Sequence, residues 1–254
     1  MIDLHAHILP SLDDGAQTLE DSRAIGRAAA AEGVEAIAAT PHVRHDYPTT
    51  AEQMEAGVSA LRADFEREGI SVQVLHGGEI DLEILAGLDH ETLERFTYAQ
   101  TGRYLLLEFP YTGWPLGLDQ RVFALRAAGI TPVLAHPERN GEVQSGPERL
   151  EELVRLGAVI QVTAASLDGR LGKSSRDAGL RLLELGLVDV LASDAHTPSV
   201  REAGLAAAVE ALGDEGLARH LTEDAPRAIV AGDQLPTCPP YRPPRRRRLP
   251  FSKR

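Results

Sequence analysis

Two histidines, His5 and His7, sit two residues apart near the start of the chain. On extended backbone that spacing turns both imidazoles to one side, a two-toothed grip for a transition-metal ion. The same spacing returns far along the sequence in Ser193-Asp194-Ala195-His196. Between these pairs lie Asp13-Asp14-Gly15, Thr40-Pro41-His42, His76-Gly77-Gly78-Glu79, Glu108 behind a run of three leucines, and His136-Pro137-Glu138-Arg139. Asp14, Glu79, Glu108 and Asp194 supply four candidate carboxylates. His5, His7, His42, His136 and His196 supply five candidate imidazoles. Mixed nitrogen and oxygen donors suit Mn, Fe, Co or Zn better than an all-oxygen Mg site. The chemistry such a set supports is hydrolysis by metal-activated water.

Each motif also has a plainer reading. One of Asp13 and Asp14 is expected to close an Asx turn while the other coordinates. Pro41 forces an extended exit that delivers His42, and His45 and Asp46 read as loop residues. Gly77 and Gly78 permit close backbone approach beside Glu79, the carboxylate best placed to bridge two ions. His76, three residues back on a strand, faces the other way. Glu108, set among Leu105, Leu106, Leu107 and Phe109, needs a partner, either a cation or an arginine. Arg139 offers a planar fork to a tetrahedral oxyanion, with Glu138 orienting it or capping the loop. Arg201 lies at or just inside the start of the helix expected after Asp194-x-His196, where a solvated helix arginine is the plain reading. Tyr47, Tyr111 and Trp114 are loop aromatics near these motifs, and packing is the reading favoured for Trp114.

These residues need elements to bring them together. Short apolar β-rich runs fall at Ile2–His5, Glu35–Ala39, Ser71–Leu75, Tyr104–Phe109, Ile130–Ala135, Val159–Val162 and Val188–Ala192. They have the character of parallel strands buried on both faces. Helical patterns alternate with them. Thr18 with Asp21 and Thr50 with Gln53 form capping boxes, a third helix covers about His90–Thr101, and Pro147 opens another. Gly129, Gly157 and Gly186 each stop a helix just before a strand. Seven alternations predict an α/β architecture, either a (β/α) barrel or an open doubly wound sheet. The Gly-x-Gly-x-x-Gly phosphate signature is absent, which weakens the dinucleotide-binding alternative. In either architecture the candidate ligands all fall at the C-terminal strand ends, on one rim.

Composition narrows the function classes. The 254 residues carry 26 basic and 38 acidic side chains, a net charge of -12. Seven of the basic residues lie from Arg242 onward, so the body before them holds 19 against all 38 acidic ones. Such a body is a poor partner for nucleic acid. A single cysteine, Cys238, permits no internal disulfide, and no apolar run is long enough to span a bilayer. Patterned sequence begins at Met1, so the expectation is no targeting peptide and a cytoplasmic location. Residues 1–232 read as one catalytic domain and 233–254 as a disordered Pro/Arg-rich tail. Its cluster Arg245–Arg248 is open to three readings: weak peripheral contact with anionic lipid, a solvated end, or an arm lying on the acidic body.

The series His5-x-His7, Asp14, His42, Glu79, Glu108, His136 and Asp194-x-His196 resembles the polymerase-and-histidinol-phosphatase (PHP) superfamily. More closely, it is similar to the bacterial protein-tyrosine phosphatases of capsule and exopolysaccharide operons, the CpsB/YwqE type. The resemblance runs from Met1 to about Gly232, carried by M-I-D-L-H-A-H with D-D-G, L-L-L-E-F-P, L-A-H-P-E-R-N and S-D-A-H in that order. It implies a distorted seven-stranded (β/α) barrel, TIM-like, with up to three divalent ions and manganese as usual activator. The implied ligand sets are His5, His7, Glu79 and Asp194; Glu79, Glu108 and His136; and Asp14, His42 and His196. Many relatives outside the capsule group carry histidine where Glu108 stands. Arg139 and Arg201 match the phosphate-binding arginines. The implied substrate is the phosphorylated tyrosine-rich tail of a polysaccharide-assembly tyrosine kinase, attacked by a metal-activated water. The competing readings are another PHP phosphoesterase such as histidinol-phosphate phosphatase, a metal-dependent nuclease, and a non-catalytic module that keeps metal for structure.

Overall fold

The computed structural model describes residues 1–196 and 204–242. Arg201 and the arginine cluster Arg245–Arg248 lie outside them. Among the described residues nine strands form, all paired in parallel: β1 (Ile2–Ala6), β2 (Ala36–Ala39), β3 (His42–Val43), β4 (Gln73–His76), β5 (Glu79–Asp81), β6 (Tyr104–Glu108), β7 (Thr131–Ala135), β8 (Val159–Thr163) and β9 (Val190–Ala192). Their order is β1-β2-β4 in one sheet and β3-β5-β6-β7-β8-β9 in the other.

Two of the seven expected strands, those at Glu35–Ala39 and Ser71–Leu75, are each followed after a two-residue break by a further short strand, which is why nine are seen. Pro41 has no N–H to give and ends β2, after which the chain resumes pairing as β3. Gly77 and Gly78 separate β4 from β5 in the same way. A Cβ on Gly78 would stand 2.4 Å from the ring of Phe96, so only glycine lets the backbone pass there. The two broken staves stay paired across the break, β2 with β4 below it and β3 with β5 above, while β1 pairs only with the lower half β2 and β6 only with the upper half β5. Closure comes at β1, where Asp194 N donates to His5 O (2.8 Å) and His7 N to Ala195 O (2.7 Å). The result is seven staves joined edge to edge, a distorted (β/α) barrel.

Alternate residues of the staves go to two apolar clusters, as period-two side-chain direction requires. Ile37, Leu105, Leu107, Leu134 and Ile160 pack outward on the helices. Leu4, Ala38, Leu106, Val133 and Val190 form a smaller cluster with Ala225 and Ile229 of the last helix, Ala225–Ala231. Leu106 and Glu108 share a face of β6, so the apolar filling gives way to charge only at the C-terminal end of the strand.

The local signals behave as the sequence predicts. Both capping boxes form, at helices Leu19–Ala31 and Ala51–Glu68. Gly129, Gly157 and Gly186 adopt the left-handed conformation, with φ of 89°, 95° and 69°. The third helix is shorter than expected: Asp89 caps it, and it ends at Phe96 before a single 3-10 turn. Beyond Gly232 no helix or strand forms up to Arg242. The chain nevertheless stays on the barrel there, with the Tyr104 hydroxyl donating to Asp233 O (2.6 Å) and Cys238 and Tyr241 packed on the outer cluster. No helix among the described residues is long and apolar enough to cross a membrane.

Candidate metal centre

Every strand end named in the sequence reading arrives at one mouth. His5 is the last residue but one of β1 with His7 just past its end, His42 opens β3, Glu79 opens β5 and Glu108 closes β6. His136 follows β7, and Asp194 and His196 follow β9. Donor atoms fall into four overlapping groups within 4.8 Å: His5 with His7 and Asp194; His5 with Glu79 and His136; His42 with Glu79 and Glu108; and His7 with Asp14, His42 and His196. All nine candidate ligands are therefore together, eight of them buried and Asp14 on the lip. The grouping differs in detail from the implied sets. Glu79 separates His136 from Glu108, with Oε1 3.0 Å from His136 Nε2 and Oε2 2.9 Å from His42 Nδ1.

The surrounding protein decides which imidazole nitrogen is left for the mouth. His5 donates Nδ1–H to Gln161 Oε1 (2.8 Å), His7 donates to Asp13 Oδ2 (2.7 Å), and His196 donates to the Asp194 carbonyl (2.9 Å). Each keeps Nε2 facing its neighbours, and the two Nε2 atoms of His5 and His7 stand 3.1 Å apart. Fixing the outer nitrogen in this way is how metal-binding histidines are held in one tautomer. Asp13 and Asp14 divide the two expected roles. Asp13 accepts from Gly15 N (2.9 Å), His42 N (2.9 Å) and His7, while Asp14 Oδ1 stands 3.4 Å from both His42 Nε2 and His196 Nε2. Gly15 cannot be replaced, since a Cβ would lie 2.2 Å from His7 O.

Burial alone would raise the pKa of Glu79 and of Asp194 above the usual carboxylate range. His5 and His42 pull Glu79 well below it, and His5, His7, His136 and His196 do the same to Asp194. The imidazoles respond in kind. Desolvation pushes His42 down, but Glu79, Asp14 and Glu108 together hold it far above its ordinary value. Positive charge is what this cluster needs. Glu108 Oε2 is buried without a hydrogen-bond partner, and Glu79 Oε2 and His42 Nδ1, though 2.9 Å apart, are not aligned to bond. Buried polar atoms of that kind are rare in folded proteins, and coordination of cations would satisfy them together. The donor set fits divalent ions.

Two backbone positions are strained at this mouth. His136 (φ 41°) and Asp194 (φ 54°) are left-handed without being glycine. Arg139 sits beside them, donating Nη1–H to Asp194 Oδ2 (2.7 Å), with its guanidinium 4.5 Å over the Tyr111 ring. Tyr111 in turn stacks on His136, ring centroids 5.5 Å apart. Glu138 does not engage Arg139. It accepts from Thr163 N (3.1 Å) and Ser166 Oγ (2.7 Å), tying the loop after β7 to the end of β8. Trp114 packs as favoured, edge-on to Phe109 and under Arg149. His76 and His45 join none of the donor groups.

Three participants escape the sequence reading. Gln161 is the polar interruption in the buried run Val159-Ile160-Gln161-Val162, a signal that could have been read. Asp3 is buried under His5 and accepts from Ser193 N (3.0 Å), again a polar residue inside an apolar strand. Arg44 reaches Glu108, and nothing in its loop sequence marks it.

Residues 1–231 match the model of the family described as capsular polysaccharide synthesis, CpsB/CapC. The chain belongs to the CpsB/CapC family. Among CpsB/CapC relatives, it is 35% identical over 254 residues to the tyrosine-protein phosphatase YwqE of Bacillus subtilis strain 168, covering 98% of both chains. It is 28% identical to the tyrosine-protein phosphatase CpsB of Streptococcus pneumoniae, over 92% of this chain and all of that one. A crystal structure from a study of YwqE and CpsB, described there as unique metal-dependent tyrosine phosphatases, superposes with a TM-score of 0.86 at 34% identity, covering 97% of this chain and 100% of that one.

Proposed function

We propose that this CpsB/CapC protein is a metal-dependent protein-tyrosine phosphatase acting in capsule or exopolysaccharide synthesis. The observation that carries the reading is Arg139 at the edge of a mouth built from four carboxylates and five histidines. Its assigned ligands are His5, His7, Asp14, His42, Glu79, Glu108, His136, Asp194 and His196, with manganese as the preferred ion. Bound there, divalent ions supply the Lewis acidity that makes water nucleophilic near neutral pH and offsets charge on a phosphoryl group.

The rest is the work of the chain's own side chains. Arg139 spends one N–H on Asp194, and the rest of its planar fork serves the equatorial phosphoryl oxygens. Arg201 is assigned the same role. Glu79 joins two of the donor groups, so the reacting centre is held by one rigid carboxylate. The leaving group is a phenolate, whose parent pKa of about 10 makes departure easier than for an alkyl alcohol. A cysteinyl-phosphate route has no support. Cys238 packs against Val188, near the foot of β9, and burial pushes its thiol up to about 11.

The proposed substrate is a phosphotyrosine tail of a polysaccharide-export tyrosine kinase, met in the cytoplasm. Seven positive charges from Arg242 onward would add weak attraction to anionic lipid near such a kinase, at roughly 1 kcal/mol per residue close to the surface. Deleting Arg242–Arg254 should lower binding to anionic vesicles; unchanged binding removes that part of the reading.

The deciding experiment titrates Mn²⁺ into the chelated protein and follows phosphate release from a phosphotyrosine peptide and from histidinol phosphate in parallel. Metal-dependent release from the peptide is expected. No release from either, or a strong preference for histidinol phosphate, overturns the assignment.

A further inference from the structure

Arg44 lies two residues beyond His42, at the exit of β3, so both side chains leave the strand on the same side. Glu108, on β6, meets them both. Its Oε1 accepts from Arg44 Nη1 at 3.0 Å, and its Oε2 faces His42 Nδ1 at 3.5 Å with no hydrogen bond of its own. The guanidinium is itself held. Arg44 Nε stands 2.8 Å from Asp46 Oδ1, and the group lies 5.1 Å over the Tyr47 ring. Arg44 N and Tyr47 N each donate to the other's carbonyl (3.0 and 3.1 Å), closing the turn that carries all three.

We propose that Arg44 is a positioning residue that fixes Glu108 so that one chosen oxygen is presented to the ion cluster. A glutamate has three side-chain torsions, and Glu108 stands at the boundary between the mouth and an open groove of about 490 Å³ lined by Arg44, Tyr111 and Trp114. Without an anchor on Oε1, its carboxylate is free to swing toward that groove. Arginine suits the task because its planar fork addresses two carboxylates at once, Glu108 and Asp46, where lysine offers a single point charge. The assignment rests on the reading of the mouth as a divalent-ion site.

The test compares wild type with Arg44→Met, Arg44→Lys and Asp46→Asn. It measures Mn²⁺ stoichiometry and affinity by equilibrium dialysis, melting after chelation, and kcat and KM on a phosphotyrosine peptide. Arg44→Met should melt like wild type when chelated, yet hold one ion about 10–100-fold more weakly. Its kcat should fall at limiting Mn²⁺ and recover in excess, at constant KM. Arg44→Lys should restore little, and Asp46→Asn should weaken the same ion a few-fold. Unchanged or tighter Mn²⁺ binding in Arg44→Met overturns the proposal, as does a raised KM with Mn²⁺ binding intact, which would make Arg44 a substrate contact. Should Arg44→Met melt early, Asp46→Asn decides alone: no weakening sinks the idea. A wild type that neither binds Mn²⁺ nor hydrolyses the peptide refutes the underlying reading instead.

Discussion

Strand β9 has an aspartate at each end, and the two live under opposite rules. Asp189, at the foot, accepts from Ile160 N (3.1 Å), and burial pushes its pKa up to about 6. Asp194, at the mouth five residues on, is more deeply buried, yet histidines and Arg139 hold it far on the ionised side. Burial does not decide the charge of a carboxylate here. Its partners do. The foot gives its carboxyl no positive partner, so ionising it is costly and waits until about pH 6, whereas the mouth gathers positive groups around its acids, as a site built to hold cations must.

Neutralising the mouth should show the largest effect. Glu79→Gln removes the one charge shared by two donor groups, and Mn²⁺-dependent turnover should drop at least on the order of 10²–10³-fold in a protein whose circular dichroism is unchanged. Wild-type turnover in that variant would mean the mouth is not the reacting centre. Arg139→Met should cost about a hundredfold in kcat/KM for a phosphotyrosine peptide, read by steady-state kinetics, because it strips the phosphate-facing fork from Asp194's side. A smaller change belongs to Gln161→Leu, which frees His5 to choose the wrong tautomer. Mn²⁺ affinity should weaken roughly tenfold or more, measured by dialysis, with the fold retained.

The foot sharpens the comparison from the other side. Since the folded pKa of Asp189 exceeds its unfolded value near 3.8, its burial costs nothing at low pH. The penalty grows as pH rises from about 4 to 6 and is constant above that. Asp189→Asn keeps an acceptor for Ile160 N without the charge. Urea unfolding should show the variant more stable than wild type by up to about 3 kcal/mol at pH 7.5, with the gap closing toward pH 4. Equal stability at pH 7.5 would show that solvent already relieves the foot.

The staves were legible because each is a short apolar run, most with a glycine or proline close by, and strands covered on both faces must read as apolar runs. Their interruptions were visible as Pro41 and Gly77-Gly78, but β3 and β5 are too short to carry a periodic signal. The candidate ligands were legible because histidines and acids at strand ends have few structural uses. Gln161 and Asp3 were overlooked for the opposite reason, since they sit inside strands where attention goes to apolar pattern. Arg44 was beyond reach. Its importance comes from a contact with a residue 64 positions away, and loop arginines are common. Arg201 lies outside the described residues, so its expected role stays a proposal.

His136 and Asp194 hold a backbone conformation that costs a residue with a Cβ on the order of 1 kcal/mol each. Glycine or asparagine would sit there with less strain. A selection for heat resistance alone would therefore drift toward those replacements, and the survivors would be sturdier barrels that had forgotten their chemistry.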